Sequence, residues 1–165
     1  GEVTNWRPLA TGRETRGLRV DNLALLATPV LGLLDRGHSS WMRMRTEVAV
    51  ATVGDASFSC IPGEIYPEIV NGGAERAPGA DFDLEPVEVP PIRELMPGRV
   101  KFVFGLANDE IGYIIPRSEW DQKPPYLYGS EKGVYGEINS LGPETGPRIH
   151  AAIKELWGMA SPAGR

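Results

Sequence analysis

The sequence predicts an α/β fold in which a mixed sheet carries flanking helices. Three observations support this prediction: a short apolar run at Val100–Phe104, a strand hairpin between Val48 and Ile61, and an amphipathic stretch near the C-terminal end. With 165 residues, 41% apolar and 24% charged, the chain has the size and composition of one globular domain or a fragment of one.

The first part of the chain is predicted to be irregular and then helical. Residues 1–21 are rich in Arg, Gly and Thr without a hydrophobic period, which indicates an irregular lead-in. Asn22–Asp35 is strongly apolar at near-helical spacing, but Pro29 interrupts it, so the helix kinks or begins there, and Gly37 is suited to end it. The run is too short and broken for a membrane span.

A hairpin is predicted next, because residues 48–61 form two apolar strands around the turn pair Gly54-Asp55. The hairpin stops at Pro62-Gly63-Glu64. Two interpretations of Glu64 stay open: the carboxylate caps a helix that begins within residues 65–70, or it points into a cleft. Residues 71–91 are rich in Gly, Pro and acidic side chains and are predicted to form a surface loop insertion.

The apolar run at Val100–Phe104 predicts a central strand buried on both faces. Polar residues follow it at the place where a sheet commonly presents a ligand site. These candidate oxygen donors are Asn108, Asp109, Glu110 and Tyr113. A solvated acidic turn is the alternative interpretation of the same residues.

The last part of the chain combines an aromatic loop with a helix. Trp120, Tyr126 and Tyr128 surround Pro124-Pro125, which is typical of a rigid loop or of a pocket wall. The final amphipathic helix has its apolar stripe at Ile149, Ala152, Ile153, Leu156 and Trp157, with Pro147 in the first turn and Gly158 at the end. His150 is predicted to be exposed, away from this stripe.

Composition excludes several kinds of site. A net charge of −5 argues against nucleic-acid binding. The single cysteine, Cys60, excludes an internal disulfide and a zinc site built from several thiolates. Neither His38 nor His150 has a neighbour at ligand spacing, and Ser57 lies in a hairpin without a base beside it. No apolar run is long enough to predict a transmembrane segment.

Residues 48–157 nevertheless resemble the C-terminal part of the catalytic domain of neutral/alkaline (non-lysosomal) ceramidases. The segments that carry the resemblance are the hairpin ending in Pro62-Gly63-Glu64, Gly105-Leu106-Ala107-Asn108 followed by Tyr113, Glu119-Trp120 with Gln122, and Tyr128-Gly129 or Tyr135-Gly136 before the last helix. Ceramidases of this family are zinc amidohydrolases, so the resemblance implies an α/β fragment of a larger ceramidase-like catalytic domain.

The resemblance also implies roles for individual residues. Glu64 and Tyr113 match the family's glutamate and tyrosine zinc ligands, and Tyr126 matches a tyrosine that stabilises the transition state, displaced here by one residue. Glu110 stands where family members often carry another tyrosine. The family's histidine ligands and serine nucleophile come from an earlier part of the domain that nothing here matches. An upstream segment or second chain would therefore have to supply them.

Two functions follow as expectations. The first is the C-terminal portion of a zinc-dependent hydrolase that cleaves the N-acyl bond of a lipid-like amide substrate. The alternative is a non-catalytic binding or assembly module that keeps the hydrolase-like scaffold and uses Trp120, Tyr126 and Tyr128 as its contact surface. The sequence itself leaves the compartment open, and the resemblance favours a secreted or periplasmic location.

Overall fold

A computed structural model describes residues 2–4, 39–40, 43–133 and 135–160. The chain divides into two compact units, Gly1–Thr46 and Glu47–Arg165. The first unit contains an antiparallel sheet with the strand order β1-β3-β2. Its strands are β1 (Glu2–Thr4), β2 (Ser39–Ser40) and β3 (Arg43–Arg45). Part of the predicted irregular lead-in is thus a strand, while the predicted helix at residues 22–35 and His38 lie outside the described residues.

The second unit begins with the predicted hairpin. Strands β4 (Ala49–Val53) and β5 (Ala56–Cys60) pair antiparallel across the two-residue turn Gly54-Asp55. Gly54 has a φ of +59°, a conformation that glycine adopts without the steric cost other residues pay. Strand β7 (Val100–Phe104) then pairs parallel with β5, so the sheet has the order β4-β5-β7 and is mixed, as predicted.

The environment predicted for the Val100–Phe104 strand is wrong. Its bounds agree with the structure, but β7 is an edge strand, and Phe102 and Phe104 are 43% and 48% exposed. Apolar residues at four of the five positions suggest burial on both faces. Lys101 interrupts them, and among the described residues Val100, Phe102 and Phe104 lie on the more exposed face of the strand while Lys101 and Val103 lie on the less exposed one.

Strands β5 and β7 continue into a second parallel pair. After a short connection at residues 61–63 and a longer one at residues 105–112, β6 (Glu64–Ile65) pairs with β8 (Tyr113–Ile114). Main-chain hydrogen bonds across the two connections, such as Leu106 N to Gly63 O at 3.1 Å, keep the two segments side by side.

Among the described residues, four α-helices and two short 3-10 helices, Arg117–Glu119 and Leu127–Gly129, accompany these strands. The α-helices are α1 (Pro67–Asn71), α2 (Ile92–Leu95), α3 (Tyr135–Ile138) and α4 (Thr145–Ala160). The final helix contains the predicted stripe, in which Ile149, Ile153 and Trp157 are buried, although it continues two residues past Gly158. Trp157 joins the helix to the sheet, since its indole Nε1 donates a hydrogen bond of 3.0 Å to Ser59 Oγ in a buried setting.

The loop predicted at residues 71–91 contains no helix or strand from residue 72 onward. Part of it is buried: Glu88 is 2% exposed, and its carboxylate accepts a hydrogen bond of 3.0 Å from the Arg117 amide. The prediction that His150 is exposed is wrong, because Pro90 of this loop lies against the helix. His150 is 3% exposed, with Nε2 2.7 Å from Pro90 O.

The described residues therefore form an α/β arrangement built on a three-stranded mixed sheet with helices. Whether the whole chain is one domain or a fragment stays a prediction. Within the described ranges, no helix is both long enough and apolar enough to cross a lipid bilayer.

Candidate functional site

The structure brings Glu64 and Tyr113 together at the ends of two parallel strands. They are register partners in the β6–β8 pair. Register partners of a parallel ladder project from the same face of the sheet, so both side chains leave on one side. The other face holds Ile65 and Ile114, of which Ile114 is fully buried. Glu64 lies in a strand and does not cap the helix that follows, whose N-cap position is Tyr66.

Main-chain hydrogen bonds fix this register. Glu64 N donates to Gly112 O at 3.0 Å, and Tyr66 N donates to Ile114 O at 3.0 Å. Tyr113 N donates in turn to Asn139 O at 3.0 Å, which holds β8 against the residue that follows α3. The positions of the two candidate ligands therefore follow from the backbone and do not depend on a flexible loop.

Two glycines permit this close approach of backbones. A Cβ at Gly63 would meet Gly112 O and would lie 3.1 Å from Ile114 Cδ1. Gly112 has a φ of +87°, and a Cβ there would overlap Asn139 O. Both positions exclude larger residues for steric reasons, and Gly112 also needs the conformational freedom of glycine. Pro62-Gly63-Glu64, which the sequence singled out as a stop signal, is thus one side of the site.

Tyr113 and Glu64 also interact through their side chains. The hydrogen bond from the phenol to the Glu64 carboxylate is the main reason that the pKa of Tyr113 is raised to about 12. The phenol donates and the carboxylate oxygen accepts, and this bond stabilises the neutral phenol. A cation bound by both oxygens would have to displace the phenolic proton.

A cluster of tyrosine rings surrounds this pair. The rings of Tyr66 and Tyr135 each meet the Tyr113 ring edge-on, with centroids 6.2 Å and 5.7 Å away. Burial is the main cause that raises the pKa of Tyr66 to about 12, and the Glu137 carboxylate adds to the effect. Three tyrosine rings therefore lie in contact beside Glu64, and Tyr113 is the one whose phenol bonds to that carboxylate.

Further carboxylates add negative potential around Tyr66. Glu68 and Glu119 both raise the Tyr66 pKa, as Glu137 does. Burial raises the pKa of Glu119 itself, although its Oε1 accepts a hydrogen bond of 3.0 Å from the Glu75 amide. An arrangement of several partly buried carboxylates attracts cations and repels anionic ligands.

Glu64 borders a cleft of about 470 Å³ on its other side. The wall combines apolar side chains with polar ones and includes Ile65, Val70, Asn71, Arg93, Val103 and Leu106. Arg93 is held in place, since its Nε donates to Asn71 Oδ1 at 2.6 Å and its guanidinium also donates to Lys101 O. The cleft is consistent with the interpretation of Glu64 as a cleft residue, but Tyr113 and Tyr126 do not line it.

Tyr126 lies elsewhere, in the loop that the sequence predicted to be rigid. A Cβ at Gly133 would lie 3.2 Å from Tyr126 Cε1, so ring and backbone are close there, and the described residues give Tyr126 no ring contact with the tyrosine cluster. Trp120 is only 1% exposed and cannot contribute to the contact surface predicted for the alternative function. Tyr128 is 69% exposed and donates a hydrogen bond to Glu75.

The donor set for a metal is incomplete in this part of the chain. Among the described residues, no group of three or more His, Cys, Asp or Glu side chains could hold an ion. His150 cannot help, because it is buried beside Pro90. Glu64 and Tyr113 are two adjacent oxygen donors, and a tetrahedral zinc site would need its remaining ligands from other residues.

Sequence reasoning missed Tyr66 and passed over Tyr135 except as part of a motif. The period of a strand gave a signal for Tyr66, since residues two apart share a face and Tyr66 follows Glu64 by two. Nothing in the sequence placed Tyr135 beside Tyr113. Comparison of the chain with protein-family models, with curated proteins and with solved structures gave no match.

Proposed function

We propose that this chain is the C-terminal portion of a ceramidase-like, zinc-dependent amidohydrolase that cleaves the N-acyl bond of a lipid-like substrate. The observation that supports the proposal most strongly is the pairing of Glu64 with Tyr113 at the ends of adjacent parallel strands. These are the two residues that the resemblance to the family implies as ligands. They are 49 positions apart in the sequence, so their neighbourhood is not a consequence of sequence proximity.

In this proposal, Glu64 and Tyr113 hold the zinc together with histidines from an upstream segment or a second chain. A zinc ion held there would supply Lewis-acid chemistry, namely polarisation of a carbonyl or activation of a water molecule. Tyr113 has to give up the proton that it now donates to Glu64. Tyr66 and Tyr135 restrict the rotation of the Tyr113 ring by edge contacts. The resemblance implies that Tyr126 stabilises the transition state; among the described residues it neither lines the cleft beside Glu64 nor contacts the tyrosine cluster, so this role stays a prediction.

Zinc-dependent ionisation of Tyr113 tests the ligand assignment. The full chain is titrated with excess zinc at mildly alkaline pH, with free imidazole added in place of the histidine ligands that the family draws from an earlier part of its domain. Tyrosinate absorbance in the ultraviolet reports loss of the phenolic proton. We expect it to rise well below the pH at which Tyr113 titrates without metal, because a bound cation favours the phenolate.

Tyr128→Phe is a matched control, since Tyr128 is another tyrosine whose phenol donates to a glutamate and whose pKa is raised for that reason. The signal should persist in Tyr128→Phe and disappear in Tyr113→Phe, and Glu64→Gln should weaken zinc binding. Loss of the signal in Tyr128→Phe, or its survival in Tyr113→Phe, would rule out the assignment.

The alternative function is a non-catalytic binding or assembly module. The observation that favours it is an apolar sheet face left open to solvent on β4, β5 and β7. Native mass spectrometry of the protein purified from its natural source without chelators separates the two functions. A longer polypeptide, or a complex with a second polypeptide, that carries about one zinc ion per site supports the hydrolase. A metal-free chain supports the binding module.

A further inference from the structure

One face of the β4-β5-β7 sheet is apolar throughout. Register pairing places three residues of each strand on this face, and none of them carries a charge or a hydrogen-bonding side chain other than the thiol. We call it the open face; its residues are Ala49, Ala51, Val53, Ala56, Phe58, Cys60, Val100, Phe102 and Phe104.

Three phenylalanines form the centre of the open face. The ring of Phe58 stacks against Phe102 and Phe104, with centroids 5.2 Å and 6.3 Å away, and the rings of Phe102 and Phe104 are nearly parallel at 6.1 Å. At the hairpin end Val53 is 71% exposed. A stacked, ordered aromatic surface of this kind is costly to leave in water and well suited to contact another apolar surface.

The opposite face of the same sheet is already covered. Ser57 and Ser59, which alternate with the open-face residues of β5, are fully buried, and Trp157 of the last helix bonds to Ser59. Within the described part of the chain, one face of the sheet is therefore buried and the other is apolar and largely exposed. Domains with a hydrophobic sheet face bury that face against another element.

The size of the open face indicates what can cover it. Phe102 and Phe104 are each nearly half exposed and leave on the order of 100 Å² apiece; with the exposed valines and alanines of the face, the total is at most roughly 600 Å² of apolar area. That is about the largest apolar patch a typical monomer exposes. Two such faces pressed together would remove about 1,200 Å² from water, which reaches the lower end of stable, specific protein interfaces.

We propose that the open face binds the open face of a second copy of this chain. An uncharged face meets its own copy without burying like charges, although the chain carries a net charge of −5. A two-fold axis brings the same patch of both copies together, which is the commonest symmetry of soluble oligomers. The two sheets pack face to face as in a β-sandwich, with both Phe58–Phe102–Phe104 stacks at the centre. This inference does not depend on whether Glu64 and Tyr113 bind a metal.

Sedimentation velocity and light scattering of the full chain over a range of concentrations test the proposal. We expect a dimer, and we expect Phe102→Lys/Phe104→Lys to raise the dimer Kd by more than about a hundredfold, because the interface would then bury unpaired charges. Val87→Lys/Val89→Lys is the matched control: it replaces two apolar residues that are 47% and 52% exposed in the 72–91 segment, and it should leave the dimer intact.

Cys60 provides a second measurement that needs no variant. It is the only thiol of the chain and lies on the open face, so dimerisation should slow its alkylation, and dilution below the dimer Kd should restore the rate. This readout decides the question if the lysine variant does not fold.

A chain that stays monomeric at high concentration, with a Cys60 alkylation rate independent of concentration, overturns the proposal and assigns the face to another occupant. A dimer that survives the lysine substitutions in folded protein also overturns it, since the interface would then lie elsewhere. Binding of the monomer to phospholipid vesicles in place of dimerisation would likewise reject a second copy as the occupant.

Discussion

Replacing Gly112 with alanine tests whether the glycines hold the Glu64–Tyr113 pair in register. Gly112 has a φ of +87°, and a Cβ there would overlap the carbonyl oxygen of Asn139. The same oxygen accepts the hydrogen bond from Tyr113 N. The substitution therefore strains the backbone and pushes apart the two segments that position Tyr113.

The expected loss in the free energy of unfolding has two parts, and the same substitution at a second glycine separates them. A non-glycine residue at positive φ costs about 1–3 kcal/mol. Displacing the Asn139 backbone adds roughly 1–3 kcal/mol, the usual cost of overpacking a tight site. Gly54 has a φ of +59°, and a Cβ added there would have no neighbour within 4 Å, so Gly54→Ala pays only the first part. Gly112→Ala should therefore be the more destabilising variant by about 2 kcal/mol.

Urea unfolding of both variants, with matching m-values, measures this difference in the free energy of unfolding. A tyrosine titration of the folded Gly112→Ala protein should also show Tyr113 ionising closer to its ordinary pKa, because the hydrogen bond to Glu64 is disturbed. Equal destabilisation by the two alanines, with an unchanged Tyr113 titration, would refute the steric argument.

Three further predictions concern titration and packing. Glu64→Gln should lower the pKa of Tyr113 from about 12, as measured in an ultraviolet titration. In the unchanged protein, the stability that this hydrogen bond contributes is present below about pH 10 and is lost as the pH rises through about 12. Glu119→Gln should raise the Tm at pH 7, because burial raises the pKa of Glu119 and penalises its charged form. This gain in Tm should vanish in acid, once Glu119 of the unchanged protein is protonated in both the folded and the unfolded state. An unchanged Tm at both pH values would contradict the prediction. Trp157→Phe should lower the free energy of unfolding in urea by about 2–4 kcal/mol, since it leaves a void and removes the donor to Ser59 Oγ. Ser59→Ala should then destabilise the Trp157→Phe protein less than it destabilises the unchanged protein. Additive losses of the two substitutions would count against the hydrogen bond.

The local elements of the second unit were accessible from the sequence. The Gly54-Asp55 turn and the helical stripe ending at Trp157 carry strong short-range signals, namely a two-residue turn between apolar strands and a 3.6-residue period. The burial of individual side chains could not be predicted from the sequence in the same way. The run at Val100–Phe104 has one pattern whether its strand is central or at an edge, and His150 is buried only because a loop 60 residues earlier folds over it.

The candidate site was predictable in part. Glu64 and Tyr113 were chosen from a family resemblance, and their neighbourhood depends on strand pairing between segments far apart in sequence. Tyr135 joins them because α3 lies beside β8, which no local pattern reveals. The proline-rich context of Trp120 predicted a rigid loop or a pocket wall, and only the alternative function placed Trp120 at a contact surface; a large aromatic side chain gains most from burial, and here it is buried.

The connections that precede β6 and β8 differ in length, and this difference determines where residues can be inserted or exchanged without moving Glu64 and Tyr113. Residues 61–63 pass directly from β5 to Glu64, whereas residues 105–112 bulge outward before the chain returns at Tyr113. Main-chain bonds on both sides of the bulge hold its ends, as with Ala107 N to Ile61 O at 2.9 Å and Ile111 N to Pro62 O at 2.8 Å. The tip, which includes the exposed Asn108 and Glu110, can therefore lengthen or change composition while the spacing of the pair stays constant. A change confined to this loop would alter the surroundings of Glu64 and Tyr113 without moving either residue.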